Sequence, residues 1–362
     1  MTSPVLIMAG GTGGHVFPAL AVARALRAGQ RPVVWLGTRR GIEARLVPAE
    51  GIPVEWIEVE GLRGRGLGGW MAAPLKLLRA VSQSLAVLRR IRPAAVLGCG
   101  GFASGPGGVA AWLTRTPLVI HEQNAVAGLT NRWLSHLAVT VAEAFPGSFR
   151  RAGAVVTTGN PVRREIAGLP APEQRFAGRS GRLRLLVVGG SQGAAALNRL
   201  VPRAVAALPD ALRPLVLHQA GPRELEATAA LYRELGVEAD VRAFVDDMAA
   251  AYGAADFAVT RSGALTVSEL AAAGLGALLV PFPAAVDDHQ ARNAAFLVEA
   301  GAARMLREAE LTPERLAREL LEVLEGGRER PLAMARAARH VAVTDAAERL
   351  AGLCLAAAEG RA

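Results

Sequence analysis

Two doubly wound parallel α/β halves are the fold class this sequence predicts, and three observations predict it. Short β-branched runs alternate with Ala- and Leu-rich segments of helical spacing along the whole chain. Glycine clusters stand where a run gives way to a helical segment, at Gly10–Gly14, Gly98–Gly108 and Gly189–Gly193. The chain also looks doubled: LIMAGGTGGH at 6–15 matches LLVVGGSQGA at 185–194, with Thr12 set against Ser191 and Gly14 against Gly193. At 362 residues the chain exceeds one ordinary core.

The elements follow in order. In the first half the runs Pro4–Ala9, Pro32–Leu36, Pro53–Val59, Ala94–Leu97, Pro117–His121 and Val139–Ala142 read as strands, with helices such as His15–Ala28 and Ala72–Ile91 between them. In the second half the strands are Leu183–Val188, Pro214–His218, Ala239–Phe244, Phe257–Thr260 and Ala277–Pro281. Helices there include Gly193–Ala207, Arg223–Leu235, Ala264–Ala273 and His289–Ala300. The Pro-, Gly- and Arg-rich stretch Gly159–Arg182 reads as the linker. A last helix, Asp345–Ala358, has no strand after it and is expected to pack back on the first half.

Composition narrows the function. Apolar residues make up 51%, which excludes a disordered chain, and aromatics make up 4%, which argues against a stacking platform for single-stranded nucleic acid. The net charge is +9, and Lys76 is the lone lysine among 41 basic residues. Arginine grips phosphate with a planar fork, so the excess points to phosphorylated ligands or an anionic surface, or else to solvated helix faces. Cys99 and Cys354 form no metal-type spacing and no disulfide framework, which makes a reducing cytoplasm the default. The start lacks the basic and apolar regions of a signal peptide, and Gly clusters break the long uncharged stretches.

A helix N-terminus behind a Gly-rich turn is a prepared anion site, because free N–H groups converge there and the dipole adds positive charge. The nicotinamide fingerprint does not fit. Gly11-Thr-Gly-Gly-His-Val has the wrong spacing, and the second strand ends Leu36-Gly37-Thr38 with no acid. Arg39 and Arg40 keep a reader of a 2′-phosphate, hence NADP, as an alternative. No P-loop is present. His15 opens a helix behind the first Gly loop, where a neutral imidazole accepts a proton, or merely caps its helix. His121-Glu122-Gln123-Asn124 ends a strand with groups suited to sugar hydroxyls or to capping. Glu269, early in a helix, either answers the dipole or accepts ribose hydroxyls. Gln290, behind Asp287-Asp288-His289, is placed to reach a crevice.

Seven segments stand in order between residues 10 and 294: GGTGGHVFPALAVA, GGFASGPGG, HEQNAVAGLTNR, GNPVR, GGSQGA, RSGALTVSELAAAG and DDHQARNA. Together they closely resemble the MurG family of peptidoglycan N-acetylglucosaminyltransferases, over nearly the whole chain. The resemblance implies a GT-B fold, two Rossmann-like domains facing a cleft. Residues 1–160 would form the acceptor-binding, membrane-associating domain, with helix 341–362 packed back on it, and residues 161–340 the UDP-sugar domain. It implies transfer of N-acetylglucosamine from UDP-N-acetylglucosamine to the 4-hydroxyl of the muramyl sugar of lipid I, giving lipid II. It implies no cofactor, no metal and no nucleic-acid partner.

Residue by residue, the resemblance assigns to the donor Thr12, Gly13, Gly14, Asn124, Arg163, Ser191, Val245 through its backbone to uracil, Ala264, Leu265, Thr266, Val267, Ser268, Glu269 for the ribose, and Gln290. The first Gly loop would meet the acceptor's diphosphate, and Ser191 with the helix behind it the donor's. Phe102 stands where some relatives carry Tyr. With these ligands granted, an α-linked donor and a β-linked product require one inverting displacement and a base, for which His15 is the candidate. The lipid acceptor implies a peripheral enzyme on the cytoplasmic face of an anionic membrane. Residues 62–90 mix Leu62, Leu67, Trp70, Met71, Leu75, Leu77 and Leu78 with Arg63, Arg65, Lys76, Arg79, Arg89 and Arg90, which suits interfacial docking or a buried helix with a basic outer side. The rival classes are another GT-B sugar-nucleotide enzyme, an NADP-dependent oxidoreductase and a non-enzymatic basic binding protein.

Overall fold

The computed structural model describes residues 2–59, 67–149, 154–190 and 194–361, apart from the side chains of residues 67–73 and Val286. Of the residues singled out above, Ser191, Leu62, Arg63 and Arg65 lie outside the described residues, as do the side chains of Leu67, Trp70 and Met71. The chain forms two compact units, residues 1–163 with 345–362, and residues 164–344.

The first unit runs β1 (Val5–Met8), α1 (Gly13–Ala28), β2 (Val33–Gly37), α2 (Glu43–Ala49), β3 (Val54–Trp56), α3 (Leu67–Ile91), β4 (Ala95–Gly98), α4 (Ser104–Leu113), β5 (Leu118–Glu122), α5 (Leu129–Leu134), β6 (Thr140–Glu143) and β7 (Val156–Thr157). Its strands pair in the order β3-β2-β1-β4-β5-β6-β7, and every pair is parallel. Because both faces are covered, β1 is apolar throughout and its residues alternate between two cores. Val5 and Ile7 join Val16 and Leu20 of α1, while Leu6 and Met8 join Leu88 of α3, Ala110 of α4 and Leu134 of α5.

The second unit runs α6 (Arg164–Ala167), α7 (Pro172–Phe176), β8 (Arg184–Val188), α8 (Ala195–Ala206), β9 (Leu215–Gln219), α9 (Leu225–Glu234), β10 (Ala239–Arg242), α10 (Met248–Ala254), β11 (Phe257–Thr260), α11 (Ala264–Ala273), β12 (Ala277–Leu279), α12 (His289–Glu299), β13 (Ala303–Met305), α13 (Pro313–Leu324) and α14 (Glu329–His340). Its sheet is also all parallel, in the order β10-β9-β8-β11-β12-β13. The last helix, α15 (Ala346–Ala358), belongs to the first unit, where Leu350, Ala351 and Cys354 enter the core beside α1.

Two strands go beyond the sequence reading, β7 and β13, as do helices it did not name, α2, α13 and α14 among them. The two strands are too short to show an alternating pattern: β13 has three residues and β7 two, both of the latter exposed. The predicted strand over 53–59 shortens to Val54–Trp56.

The two sheets share one topological consequence. In a doubly wound sheet the chain turns opposite ways from its central strand, and a crevice opens at the carboxyl ends there. That switch lies between β1 and β4 in the first unit and between β8 and β11 in the second. The loops leaving these four strands begin at Ala9, Cys99, Gly189 and Arg261.

Candidate active site

At the first switch point the chain turns through Gly11 (φ +87°) into α1. Thr12 is its extended N-cap, and its carbonyl accepts the N–H groups of His15 and Val16 at 3.2 Å. Thr12 and Gly14 are exposed, and Gly13 and His15 half-buried. The imidazole Nδ1 of His15 lies 3.3 Å from the carbonyl of Gly10. A carbonyl only accepts, so Nδ1 carries the hydrogen of the neutral ring and the Nε2 lone pair is the basic site.

A buried carboxylate that the sequence reading passed over holds this turn. Glu43, the first residue of α2, accepts the N–H of Gly11 at 3.0 Å, the N–H of Thr38 at 3.1 Å and the hydroxyl of Thr38 at 2.7 Å. A Cβ on Gly10 would stand 2.5 Å from this carboxylate. The glycine cluster at 98–108 is largely spent on close packing. A Cβ on Gly101 would lie 2.3 Å from the backbone of Gly10, one on Gly107 2.2 Å from the sulfur of Met8, and one on Gly100 3.2 Å from the His15 ring.

The HEQN segment divides. His121 is fully buried, its Nε2–H donating to Gly159 O at 3.0 Å, with Gln123 Nε2 3.2 Å from Nδ1. Burial pushes its pKa down to about 4, which keeps it neutral and structural. Glu122 is also buried and organises the loop: Oε1 accepts the backbone and side-chain N–H groups of Asn124, and Oε2 those of Gly128 and Asn131. Half-buried Asn124 is thereby fixed at the carboxyl end of β5. Glu143, at the end of the neighbouring β6, accepts from Gly147 N, Ser148 N and the Thr157 hydroxyl in the same way. Arg163 is half-buried and closes the first unit.

At the second switch point, Gly190 (φ +86°) begins the turn toward α8. Another unanticipated residue, buried Gln219 at the end of β9, donates to Gly190 O at 3.1 Å and accepts Val245 N–H at 3.2 Å. One side chain thus ties the glycine turn to the segment expected to face uracil. The expected backbone contact of Val245 narrows accordingly: its N–H is engaged, and its carbonyl is the group left for a base.

Gly263 caps α11 in extended conformation. Leu265, Thr266 and Ser268 are half-buried, whereas Ala264, Val267 and Glu269 are buried. Glu269 is 4% exposed and sits in the second turn, where its Oε2 accepts the hydroxyl of buried Tyr252 at 3.2 Å. At the other end of α11, Arg175 donates to Ala273 O at 2.6 Å and Arg339 to Ala272 O, matching cations to the negative pole of the dipole. Gln290 is half-buried in α12, and its Oε1 accepts Phe282 N–H at 2.9 Å. Asp287 and Asp288, before it, adopt left-handed backbone (φ +53° and +52°), a conformation short polar residues tolerate.

Two doubly wound sheets, each with a glycine turn and a helix N-terminus at its switch point, define the class: a GT-B sugar-nucleotide glycosyltransferase. The glycosyltransferase family 28 N-terminal domain matches residues 5–143 and the glycosyltransferase family 28 C-terminal domain residues 184–350. A UDP-N-acetylglucosamine--N-acetylmuramyl-(pentapeptide) pyrophosphoryl-undecaprenol N-acetylglucosamine transferase of Alkalilimnicola ehrlichii is 58% identical, over 98% of this chain and 99% of its own. The protein of the same name from Marinobacter nauticus is 57% identical over 98% of each chain. The crystal structure of Acinetobacter baumannii MurG superposes with a TM-score of 0.85 at 41% identity, covering 98% of this chain and 99% of its own. The chain belongs to the MurG family within glycosyltransferase family 28. Membership sets aside the nicotinamide alternative raised by Arg39 and Arg40.

Proposed function

We infer that this protein transfers N-acetylglucosamine from UDP-N-acetylglucosamine to the 4-hydroxyl of the muramyl sugar of lipid I, making lipid II for peptidoglycan. The observation that carries this reading is 57–58% identity across 98% of the chain with relatives named for that transfer.

The second unit takes the donor. Diphosphate charge meets the loop that opens at Gly189 and the N-termini of α8 and α11. The carbonyl of Val245 accepts the N3–H of uracil. Glu269 accepts ribose hydroxyls, oriented by Tyr252. Leu265, Thr266 and Ser268 present the open face of α11, and Ala264 and Val267 set its packing. Gln290 binds sugar hydroxyls, already fixed by a hydrogen bond of its own; Asn124, in the first unit, is likewise held for a sugar hydroxyl.

The first unit takes the acceptor. The turn formed by Thr12, Gly13 and Gly14 meets acceptor phosphate and the approaching donor. Nε2 of His15 removes the proton of the 4-hydroxyl as that oxygen attacks the anomeric carbon and UDP leaves from the opposite side. A placed base of this kind contributes roughly 10²–10⁴ in rate.

The same unit rests on the membrane. Among the described residues no helix is long and apolar enough to cross a bilayer. Yet Leu75 (73% exposed), Leu77 and Leu78 of α3, Trp112 and Leu113 of α4, and Leu129 and Trp133 (70%) of α5 are exposed on helices of the same layer. Tryptophan and leucine with Arg115 and Arg132 close by in sequence suit the interface of an anionic membrane on its cytoplasmic side.

Incubating the protein with UDP-N-acetylglucosamine and a short-chain lipid I analogue tests the reading. Formation of the β-linked disaccharide with release of UDP is expected. Hydrolysis without transfer, or no reaction, refutes it.

A further inference from the structure

The carboxyl ends of β2 and β3 border a pocket in the first unit that none of the roles above uses. It encloses about 590 Å³ and is lined by Thr38, Arg39, Arg40, Trp56, Ile57, Glu58, Val59, Lys76, Arg79 and Gln83. Four cationic side chains face one carboxylate there, and that carboxylate, Glu58, is paired with Arg79 at 2.8 Å. The guanidinium of Arg39 lies 5.3 Å from the centre of the Trp56 ring, which holds the charge over an aromatic face. Lys76, Arg79 and Gln83 recur at i, i+3 and i+7 and so line one stripe of α3, away from exposed Leu77 and Leu78.

We propose that this pocket binds the carboxylates of the acceptor's stem peptide, which makes it a specificity site for the acceptor. The proposal rests on the acceptor reading above and adds to it a place for the peptide. Position supports it first. Neighbouring parallel strands stand about 4.8 Å apart, so the ends of β2 and β3 lie one to two spacings from the Gly10–Gly14 turn at the end of β1. A peptide extends by about 3.3–3.6 Å per residue, so five residues span that interval with length to spare. A direct connection supports it second. Thr38 lines the pocket and donates to Glu43, whose other oxygen holds Gly11 of the turn beside His15. Chemistry supports it third. A peptide ends in a carboxylate, and planar guanidinium forks bind carboxylate in two-point fashion. A bilayer suits a concave pocket less well than it suits exposed Leu77 and Leu78 on the other side of α3.

The test uses the full chain and two water-soluble short-chain acceptor analogues, one with free peptide carboxylates and one with them amidated, in the absence of vesicles. For the unaltered protein, amidation is expected to raise acceptor KM about tenfold with donor KM unchanged. In Arg39→Ala/Arg40→Ala the free analogue should be as poor as the amidated one, and amidation should cost less than twofold. Arg79→Gln, on the helical wall, should show the same loss of discrimination in smaller measure. Both residues of the double variant are exposed, and an unchanged melting temperature and UDP affinity would show the fold intact. Equal KM for the two analogues with the unaltered protein would overturn the proposal. So would a double variant that weakens both analogues alike, which would mark a diphosphate site. So would a double variant that handles both analogues as the unaltered protein does but, in a separate sedimentation assay, binds anionic phospholipid vesicles more weakly, which would mark a headgroup site. Transfer to neither analogue by the unaltered protein would instead bring down the transferase reading, and this proposal with it.

Discussion

Gln219 reaches from the end of β9 to the carbonyl of Gly190, 3.1 Å away, and its amide oxygen holds Val245 N–H. One side chain thereby ties together two loops distant in sequence, the ones proposed above for the donor's diphosphate and its uracil. Gln219→Leu removes both bonds, each worth about 1 kcal/mol, and should weaken UDP binding about tenfold or more while acceptor KM holds. In Gln219→Glu the ionised carboxylate has no hydrogen for Gly190, and its protonated form regains one. UDP affinity measured by calorimetry should therefore recover as pH falls. An affinity equal to that of the unaltered protein in both variants would remove Gln219 from the donor site.

His15→Gln should lower kcat at least tenfold with UDP affinity intact, since the base acts on the acceptor hydroxyl. Glu43→Ala, which leaves the N–H groups of Gly11 and Thr38 without their acceptor, should reproduce part of the kcat loss and lower the melting temperature. Unaltered turnover in His15→Gln would disprove its role as base.

Tyr252→Phe leaves the carboxylate of Glu269 short of one donor. Donor KM should rise several-fold, and stability should drop by about 1–2 kcal/mol, read by denaturant titration. Glu269→Ala should raise donor KM further with little change in acceptor KM. A normal donor KM in Glu269→Ala would show that the ribose is held elsewhere.

Two buried histidines make stability fall in acid. Burial lowers the pKa of His121 to about 4 and that of His218 to about 3, while an unfolded histidine sits near 6.5. The unfolded chain therefore takes up protons first. Stability is complete above about pH 6.5 and is lost as pH drops toward those values, by about 1.4 kcal/mol per pH unit for each histidine. Melting temperatures across pH 4–7 should show this slope. His218→Gln, which offers amide groups to Asn198 and Tyr232, should flatten it; an identical slope in the variant would exclude His218 as a source.

The alternation of buried strands and helices, the paired glycine turns and the motif set are local in the chain, so the sequence by itself determined the doubly wound halves, the family and the glycine loops at the strand ends. The Phe257–Thr260 strand and the Ala264–Ala273 helix match to the residue, because Gly263 and Gly274 mark the helix ends in the sequence itself. Tertiary structure alone decided which polar residues are buried in hydrogen bonds that hold the fold and which stay partly open at the strand ends. Glu43, Glu122, Gln219 and Tyr252 carry no local signature, since their roles lie in hydrogen bonds to groups brought near only by folding. The arginine excess, suggestive of phosphate in the sequence, in part caps helix ends, as Arg175 and Arg339 do on α11. Periodicity records which face of an element is buried; it holds no record of which buried donor will meet which acceptor, because that depends on the packing of distant strands.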